Sequence, residues 1–308
     1  IQGSNMASKQ ALAHLEQVRK YQAELVGSTN VAPTLEEMRL GSEAILETTG
    51  IMPEGVTIEQ VDVDGLSALW FKPIKALDDS VLLYFHGGGY VLQSANSHRK
   101  LASHLAVQSR RNVLSINYRL APEHPHPAAV NDALIAYQWL LNKNFSASKI
   151  GIAGDSAGGG LTVALLLFVK QKGLAQPGGA VVFSPWVDLE GIGESMDSKA
   201  TVDLMVNREV MGMMANMFLN GASPRDPLAA PMYGNFAGVA PLYIQVGGDE
   251  TLLDDSIRLA SRAAHDGVPV HLQVFPEMQH VFQASIGVVP EADAAVAEAG
   301  EWFKKVLS

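Results

Sequence analysis

Short apolar segments that alternate with helical segments constrain the fold of this 308-residue chain more than any other feature of its sequence. Apolar, strand-like runs stand at 81–86, 112–118, 149–154, 180–184, 242–247 and 270–275. Stretches with helical spacing lie near 97–108, 127–142, 157–172, 254–266 and 291–306. Continuous apolar strands separated by helices are typical of a mainly parallel sheet that is covered on both faces. The sequence therefore predicts an α/β fold.

The residues that precede this alternation have two different patterns. Residues 8–27 and 34–49 have helical spacing and no strand signal. Residues 57–73 alternate between apolar and polar side chains around a glycine turn, which predicts two antiparallel strands. These two strands bring the predicted sheet to eight.

These patterns predict the boundaries of the domains and of one insertion. We expect a helical segment at 1–50, in which residues 1–5 are interpreted as a cloning remnant, and a main domain at 51–308. Within the main domain, an interval at about 186–238 interrupts the alternation. A long insertion after the carboxyl end of a strand usually lies over a site.

Methionine is concentrated in this insertion, where six of the eleven methionines lie between Met196 and Met217. They could pack as the ordinary core of one helix, or they could form an adaptable apolar wall of a substrate pocket. The sequence leaves both interpretations open.

Composition excludes several classes of function. The chain has no cysteine, which excludes disulfides, thiolate metal sites and a cysteine nucleophile. Its net charge of −10 disfavours binding to nucleic acid or to an anionic membrane. The longest apolar run, at 161–169, is far shorter than the ~20 residues of a membrane span. We therefore expect a cytoplasmic protein without a membrane span.

The strongest chemical motif is Gly154-Asp155-Ser156-Ala157-Gly158, which lies between an apolar run and a helical stretch. This is a G-x-S-x-G pattern in the strand–turn–helix context that it requires. Small residues allow a sharp turn at Ser156, and the start of the helix favours negative charge there. Ser156 is therefore the candidate nucleophile.

A second motif, His86-Gly87-Gly88-Gly89, directly follows an apolar run. Glycines leave backbone N–H groups unscreened, as an oxyanion hole needs. We assign the N–H groups of Gly87 and Gly88 to this role, with that of Ala157 as the third donor. A phosphate-binding loop is disfavoured because neither G-K-[ST] nor G-x-G-x-x-G follows. We expect His86 to be structural.

The candidate base is His280. Only His265, His271 and His280 follow Ser156 in the chain, and His280 stands just past the last predicted strand. The carboxyl ends of parallel strands form the edge where α/β sheets carry their sites. His124 and His126 form an H-x-H pair, for which we expect a surface or loop role rather than metal binding.

These motifs together resemble the hormone-sensitive-lipase-like family of bacterial carboxylesterases. The resemblance rests on HGGGY (86–90), YRLAPEHPHPAAVND (118–132), GDSAGG (154–159) and HVF (280–282). It implies an α/β-hydrolase fold with an eight-stranded, mostly parallel sheet, helices on both faces and a helical cap. The cap would combine the N-terminal helices with the insertion.

The resemblance also implies a serine esterase that hydrolyses short- to medium-chain acyl esters through an acyl-enzyme. The family's usual acid is an Asp in D-P-L-x-D-E, and this chain reads D-E-T-L-L-D-D from Asp249 to Asp255. Alignment from either flank places Glu250 under that Asp, with Asp249 as the alternative. We expect Asp254 and Asp255 to compensate a helix dipole.

Other expectations complete this interpretation. Trp186 and Val281 are predicted to line the substrate pocket. This chemistry requires neither a metal nor an organic cofactor. An exposed edge strand favours pairing with another chain, so the last strand is the predicted contact of a homodimer. The alternatives are a lactone hydrolase or amidase with the same triad, and a catalytically inactive receptor for a small ligand.

Overall fold

A computed structural model describes residues 7–26 and 33–308, and within them a single sheet contains eight strands. The strands are β1 (Val56–Val63), β2 (Leu66–Pro73), β3 (Leu77–Phe85), β4 (Arg111–Ile116), β5 (Ile150–Asp155), β6 (Gly179–Phe183), β7 (Leu242–Gly247) and β8 (Val270–Phe275). Their spatial order is β1-β2-β4-β3-β5-β6-β7-β8. β1 pairs antiparallel with β2, and β2 with β4, whereas all other pairs are parallel. The predicted α/β fold with eight strands is confirmed.

Helices cover both faces of this sheet. They are α1 (Lys9–Val26), α2 (Leu35–Thr48), α3 (Arg99–Ser109), α4 (Ala128–Asn142), α5 (Ala157–Gln171), α6 (Ser195–Ser198), α7 (Arg208–Leu219), α8 (Leu253–His265) and α9 (Pro290–Val306). α4, α5 and α8 contribute to one buried apolar cluster, and α3 and α9 contribute to the other. Side chains of one strand alternate between the two clusters: Leu83 lies in the first and Leu82 in the second.

The N-terminal helices are held against loops at the carboxyl edge of the sheet. The Arg39 guanidinium of α2 donates to the carbonyls of Val91 (3.0 Å) and Ala121 (3.0 Å). Just ahead of α1, the backbone N–H groups of Ala7 and Ser8 donate to the carboxylates of Glu277 and Glu291. The proposed remnant at 1–5 and the end of the first predicted helix at residue 27 lie outside the described residues.

The insertion at 186–238 contains α6, α7 and a single turn of 3₁₀ helix. Met211 and Met214 of α7 are buried, whereas Met205 is half exposed. The Met214 side chain packs directly on Gly89, where a Cβ atom would overlap its sulfur. Methionine therefore packs this insertion against the glycine loop, and its role as a wall of a substrate pocket stays a prediction.

The last strand, β8, forms the edge of the sheet next to β7. Its outward-facing side chains include Val274, which is 41% exposed. None of the helices in the described part of the chain is long and apolar enough to cross a membrane.

Two glycines in helices provide a test of the packing between α3 and α9. A Cβ atom at Gly300 of α9 would lie 2.6 Å from the carbonyl carbon of Gln108 in α3, whereas one at Gly212 of α7 would have no neighbour within 4 Å. In an open helix, Gly→Ala stabilises by ~0.5–1 kcal/mol. We expect Gly212→Ala to raise the free energy of unfolding by about that amount and Gly300→Ala to lower it by ~1–3 kcal/mol. Urea unfolding measures both, and a stabilised Gly300→Ala variant would contradict this close packing.

Candidate active site

The nucleophile candidate lies in a strained turn between β5 and α5. Ser156 has φ +52° and ψ −120°, which non-glycine residues rarely adopt. Its N–H donates to the Phe183 carbonyl (2.9 Å), and its carbonyl accepts from the N–H of Trp186 (2.9 Å). A Cβ atom at Gly158 would overlap the carbonyl oxygen of Phe85, so the turn needs a residue without a side chain there. These constraints hold the Ser156 hydroxyl above the sheet, with 8% of the residue exposed.

His280 lies within hydrogen-bond distance of this hydroxyl. Its Nε2 is 2.9 Å from Ser156 Oγ, and its Nδ1 is 2.8 Å from Glu250 Oε2. Because a carboxylate only accepts hydrogen bonds, Nδ1 carries the proton and Nε2 can accept one from Ser156. Burial alone would lower the pKa of His280, but the hydrogen bond and charge of Glu250 outweigh it and raise that pKa above its ordinary value.

Glu250 is fully buried beside the imidazole. Its Oε1 accepts from the Ser184 hydroxyl (2.7 Å) and from the Gly247 N–H (2.6 Å), which leaves Oε2 for His280. The three donors satisfy a carboxylate that could not otherwise be buried without a large desolvation cost.

The other three acids of this segment contact different groups. Asp249 forms a half-exposed ion pair with Lys199 (3.1 Å). Asp254 accepts from the Ser195 N–H (2.9 Å). Asp255 is buried and accepts from the N–H groups of Val187 (2.8 Å) and Asp188 (2.9 Å), so it anchors the loop after β6 rather than serving only the dipole of α8.

The backbone N–H groups of the glycine loop after β3 differ in their partners. The Gly87 N–H is directed at the buried ring of His98, 3.3 Å from its Nε2. Within residues 7–26 and 33–308, the N–H groups of Gly88 and Gly89 have no hydrogen-bond acceptor. The N–H groups of Gly88 and Gly89 are therefore favoured as oxyanion donors, and the predicted role of Gly87 stays a prediction. Ala157 opens α5, where the first N–H groups of a helix have no partner within it.

A buried contact between Asp155 and His98 lies under this loop. Asp155 accepts from the Tyr84 hydroxyl (2.6 Å) and contacts His98 Nε2 (3.1 Å), and His98 Nδ1 faces the Ser94 carbonyl (3.3 Å). Both ring nitrogens of His98 therefore have polar partners. Burial opposes both charges, but the contact between the two groups raises the pKa of His98 and, together with the Tyr84 hydroxyl, lowers that of Asp155. The pair joins the loop that carries His98 to the residue before the nucleophile.

His86 has the structural position that its motif predicted. Its Nδ1 lies 2.7 Å from the Gly87 carbonyl, and its ring stacks on Tyr118 at 4.3 Å. Burial lowers the pKa of His86 to about 3, so the ring is neutral. His126 of the H-x-H pair lies in a loop and contacts Asp226 (2.9 Å) of the insertion.

The two predicted pocket residues, Trp186 and Val281, differ in how deeply they are buried. Trp186 is 1% exposed and its indole N–H donates to the Asp188 carbonyl (3.1 Å), which argues against a role in lining the pocket. Val281 is half-buried next to His280 and donates its N–H to the Ser184 hydroxyl (3.1 Å), and its pocket role stays a prediction.

Sequence reasoning missed Ser184, His98 and Asp155 as parts of the site. Asp155 directly precedes Ser156 in the serine motif, and this position could have identified it as part of the site. Ser184 and His98 have no motif of their own, because their contacts come from segments far away in the chain.

Comparison with known proteins agrees with this geometry. Residues 82–284 match the α/β-hydrolase fold family. An acetyl-hydrolase of Streptomyces hygroscopicus is 40% identical over 244 residues, which cover 79% of this chain and 81% of that protein. An esterase of Acinetobacter venetianus is 34% identical over 255 residues, 82% of this chain and 84% of that one.

Solved structures give the same result. The crystal structure of an esterase from the bacterial hormone-sensitive lipase family has a TM-score of 0.93 and 40% identity, covering 98% of this chain and 100% of its own. A hormone-sensitive lipase from a metagenome library has a TM-score of 0.91 and 38% identity, covering 99% and 100%. The chain therefore belongs to the α/β-hydrolase fold family and is a serine hydrolase of that fold. Within the fold it groups with the esterases of the hormone-sensitive-lipase-like family, as its motifs predicted.

Asp255 provides a test of how this region depends on pH. Burial raises the pKa of Asp255 to about 8, far above the ~3.9 of an unfolded chain. A raised folded-state pKa means that the stabilisation is complete below about pH 4 and is lost as the pH rises through 8. We expect the free energy of unfolding to fall over that range by up to ~1.4 kcal/mol per pH unit from this group.

Asp255→Asn should remove this contribution, because an amide oxygen still accepts two N–H groups but does not titrate. Urea unfolding of both proteins between pH 5 and pH 8 measures the difference in slope. Parallel pH dependences would show that Asp255 is ionised in the folded protein.

Proposed function

We propose that this chain is a carboxylesterase in which Ser156, His280 and Glu250 form a catalytic triad and an acyl-enzyme is the intermediate. The observation that carries the proposal is the chain of hydrogen bonds from Ser156 Oγ to His280 Nε2 (2.9 Å) and from His280 Nδ1 to Glu250 Oε2 (2.8 Å). This is the nucleophile–base–orienting-acid geometry of serine hydrolases.

Acylation begins when Ser156 Oγ attacks the ester carbonyl carbon and passes its proton to His280 Nε2. The carbonyl oxygen becomes an oxyanion, which accepts from the N–H groups of Gly88, Gly89 and Ala157. Each such donor contributes ~3–4 kcal/mol to the transition state. The tetrahedral intermediate collapses, and His280 protonates the departing alkoxide as it leaves as an alcohol.

Deacylation repeats these steps with water. His280 removes a proton from a water molecule that attacks the acyl carbon, and then returns the proton to Ser156 as the carboxylic acid leaves. Throughout, Glu250 holds the Nδ1–H tautomer and stabilises the imidazolium that forms. Glu can replace the more usual Asp because the acid only orients and stabilises the imidazole.

The proposed substrates are small esters with short- to medium-chain acyl groups. Ser156 and His280 are both almost fully buried, which favours small substrates. The names of relatives, an acetyl-hydrolase and an ethyl acetate hydrolase among them, point to the same class. A lactone hydrolase or an amidase would use the same triad, and kcat/KM on matched esters, lactones and anilides separates the three.

The direct test of the proposed function is Ser156→Ala. We expect hydrolysis of p-nitrophenyl butyrate by this variant to fall to the background rate, and labelling by a fluorophosphonate probe to be lost. An active variant would contradict the proposal. Wild-type protein that neither hydrolyses esters nor reacts with the probe would favour the inactive receptor.

The acid is tested by a matched pair of substitutions at adjacent residues. Glu250→Gln should lower kcat on the order of 10⁴-fold, because the wrong imidazole tautomer is stabilised. Asp249→Asn breaks only a half-exposed ion pair and should keep activity within about fivefold. The opposite order would make Asp249 the triad acid.

Residual activity of Glu250→Gln should also have a different pH profile. The base must be neutral, so kcat/KM rises as the pH passes through the pKa of His280. Glu250 raises that pKa, so its loss should shift the acid limb of the profile to lower pH. An unchanged acid limb would mean that Glu250 does not interact with the base.

We further propose a homodimer that pairs the β8 edges of two copies. Val274 on this edge is 41% exposed, and Val274→Lys should dissociate such a dimer. Light scattering at several protein concentrations measures the mass, and a concentration-independent monomer would contradict it. A cytoplasmic location stays a prediction, which cell fractionation tests.

A further inference from the structure

We propose that Ser184 is a positioning residue for the reaction, which acts by fixing the orientation of the Glu250 carboxylate and by joining it to the segment that carries His280. The inference rests on the proposed triad. It adds a residue that does not touch the substrate but sets the geometry of the acid and the base together.

Ser184 is placed with little freedom. It directly follows β6, is fully buried, and donates its N–H to the Gln245 carbonyl of β7 (2.8 Å). Its φ of +45° is unusual for a residue other than glycine. A strained backbone at a buried position indicates that the surrounding contacts hold the residue there.

The hydroxyl of Ser184 uses its donor and its acceptor capacity on different parts of the triad. It donates to Glu250 Oε1 (2.7 Å) and accepts from the N–H of Val281 (3.1 Å), the residue after His280. A serine hydroxyl has one proton and two lone pairs, so both bonds form at once. The acid and the backbone of the base segment are therefore linked through one oxygen atom.

This link matters more for a glutamate than for an aspartate. The additional methylene gives the Glu250 carboxylate one more rotatable bond. Its Oε1 is held by Ser184 and by the Gly247 N–H (2.6 Å), and these two bonds turn Oε2 towards His280 Nδ1. Without the hydroxyl, a single backbone donor would remain to fix this rotation.

The test is a double-mutant cycle measured by kcat/KM on p-nitrophenyl butyrate. Ser184→Ala should lower kcat by about 10- to 100-fold, the effect of losing a hydrogen bond to a charged group, with little change in KM. In a Glu250→Ala background there is no carboxylate to orient, so the same substitution should cost less than about threefold. If Ser184→Ala lowers kcat by the same factor in both backgrounds, the proposal is overturned. A fully active Ser184→Ala variant would also overturn it.

Further variants separate positioning from folding. Ser184→Gly also removes the hydroxyl but relieves the positive φ, so it should be as impaired as Ser184→Ala even if it is more stable. Ser184→Cys keeps a weak donor and should lie between alanine and wild type. Ser109→Ala removes another fully buried serine hydroxyl, in α3, and should leave kcat unchanged.

Failure of this proposal can be told from failure of the proposed function. If Glu250→Ala by itself keeps wild-type activity, the triad assignment is wrong. If Glu250→Ala is severely impaired but Ser184→Ala and Ser184→Gly are not, the triad stands and the role of Ser184 is wrong.

Discussion

The hydrogen bond between His280 Nδ1 and Glu250 Oε2 is the interaction on which the rest of the site depends. It determines which ring nitrogen carries the proton, and hence whether the other can accept one from Ser156. The bond forms because β5, β7 and β8 are parallel and their carboxyl ends lie at the same edge of the sheet. The loops that follow these strands carry Ser156, Glu250 and His280. The order of the strands thus brings together three residues that are far apart in the chain.

The insertion after β6 is bonded to these loops at several points. Asp203 accepts from the backbone N–H (2.7 Å) and hydroxyl (2.9 Å) of Thr251, the neighbour of Glu250. The side chain of Gln279, the neighbour of His280, accepts from the Leu204 N–H (2.7 Å) and donates to the Val202 carbonyl (3.0 Å). The insertion therefore fixes the loops of the acid and the base, so substitutions in it can alter catalysis without touching the substrate.

Much of the fold could be predicted from the sequence, because apolar runs and helical spacing are local signals. All eight strands and the main helices fall at or within a few residues of their predicted positions. Ser156 and His280 were identifiable because each has a motif or a strand-end position that the chemistry requires. Glu250 needed a comparison with the family pattern, since four acids within seven residues are indistinguishable by composition alone.

The parts of the site that could not be predicted depend on contacts that no local sequence pattern encodes. The direction of the Gly87 N–H follows from the placement of His98, which belongs to a different segment. Asp255 has the sequence position of an acid that compensates a helix dipole, yet it is buried and accepts from two N–H groups of the loop after β6. Trp186 was expected at the pocket, but its indole is enclosed by the core. For Asp255 and Trp186, tertiary packing decided between roles that the sequence leaves equivalent.

The most direct measurement is a crystal structure of the protein with a phosphonate ester covalently bound to Ser156, which mimics the tetrahedral intermediate. The phosphoryl oxygen should lie ~2.7–3.1 Å from the N–H groups of Gly88, Gly89 and Ala157, with Glu250 bonded to His280 Nδ1. A phosphoryl oxygen held by Gly87 would contradict the proposed oxyanion hole, and an imidazole bonded to Asp249 would contradict the proposed triad.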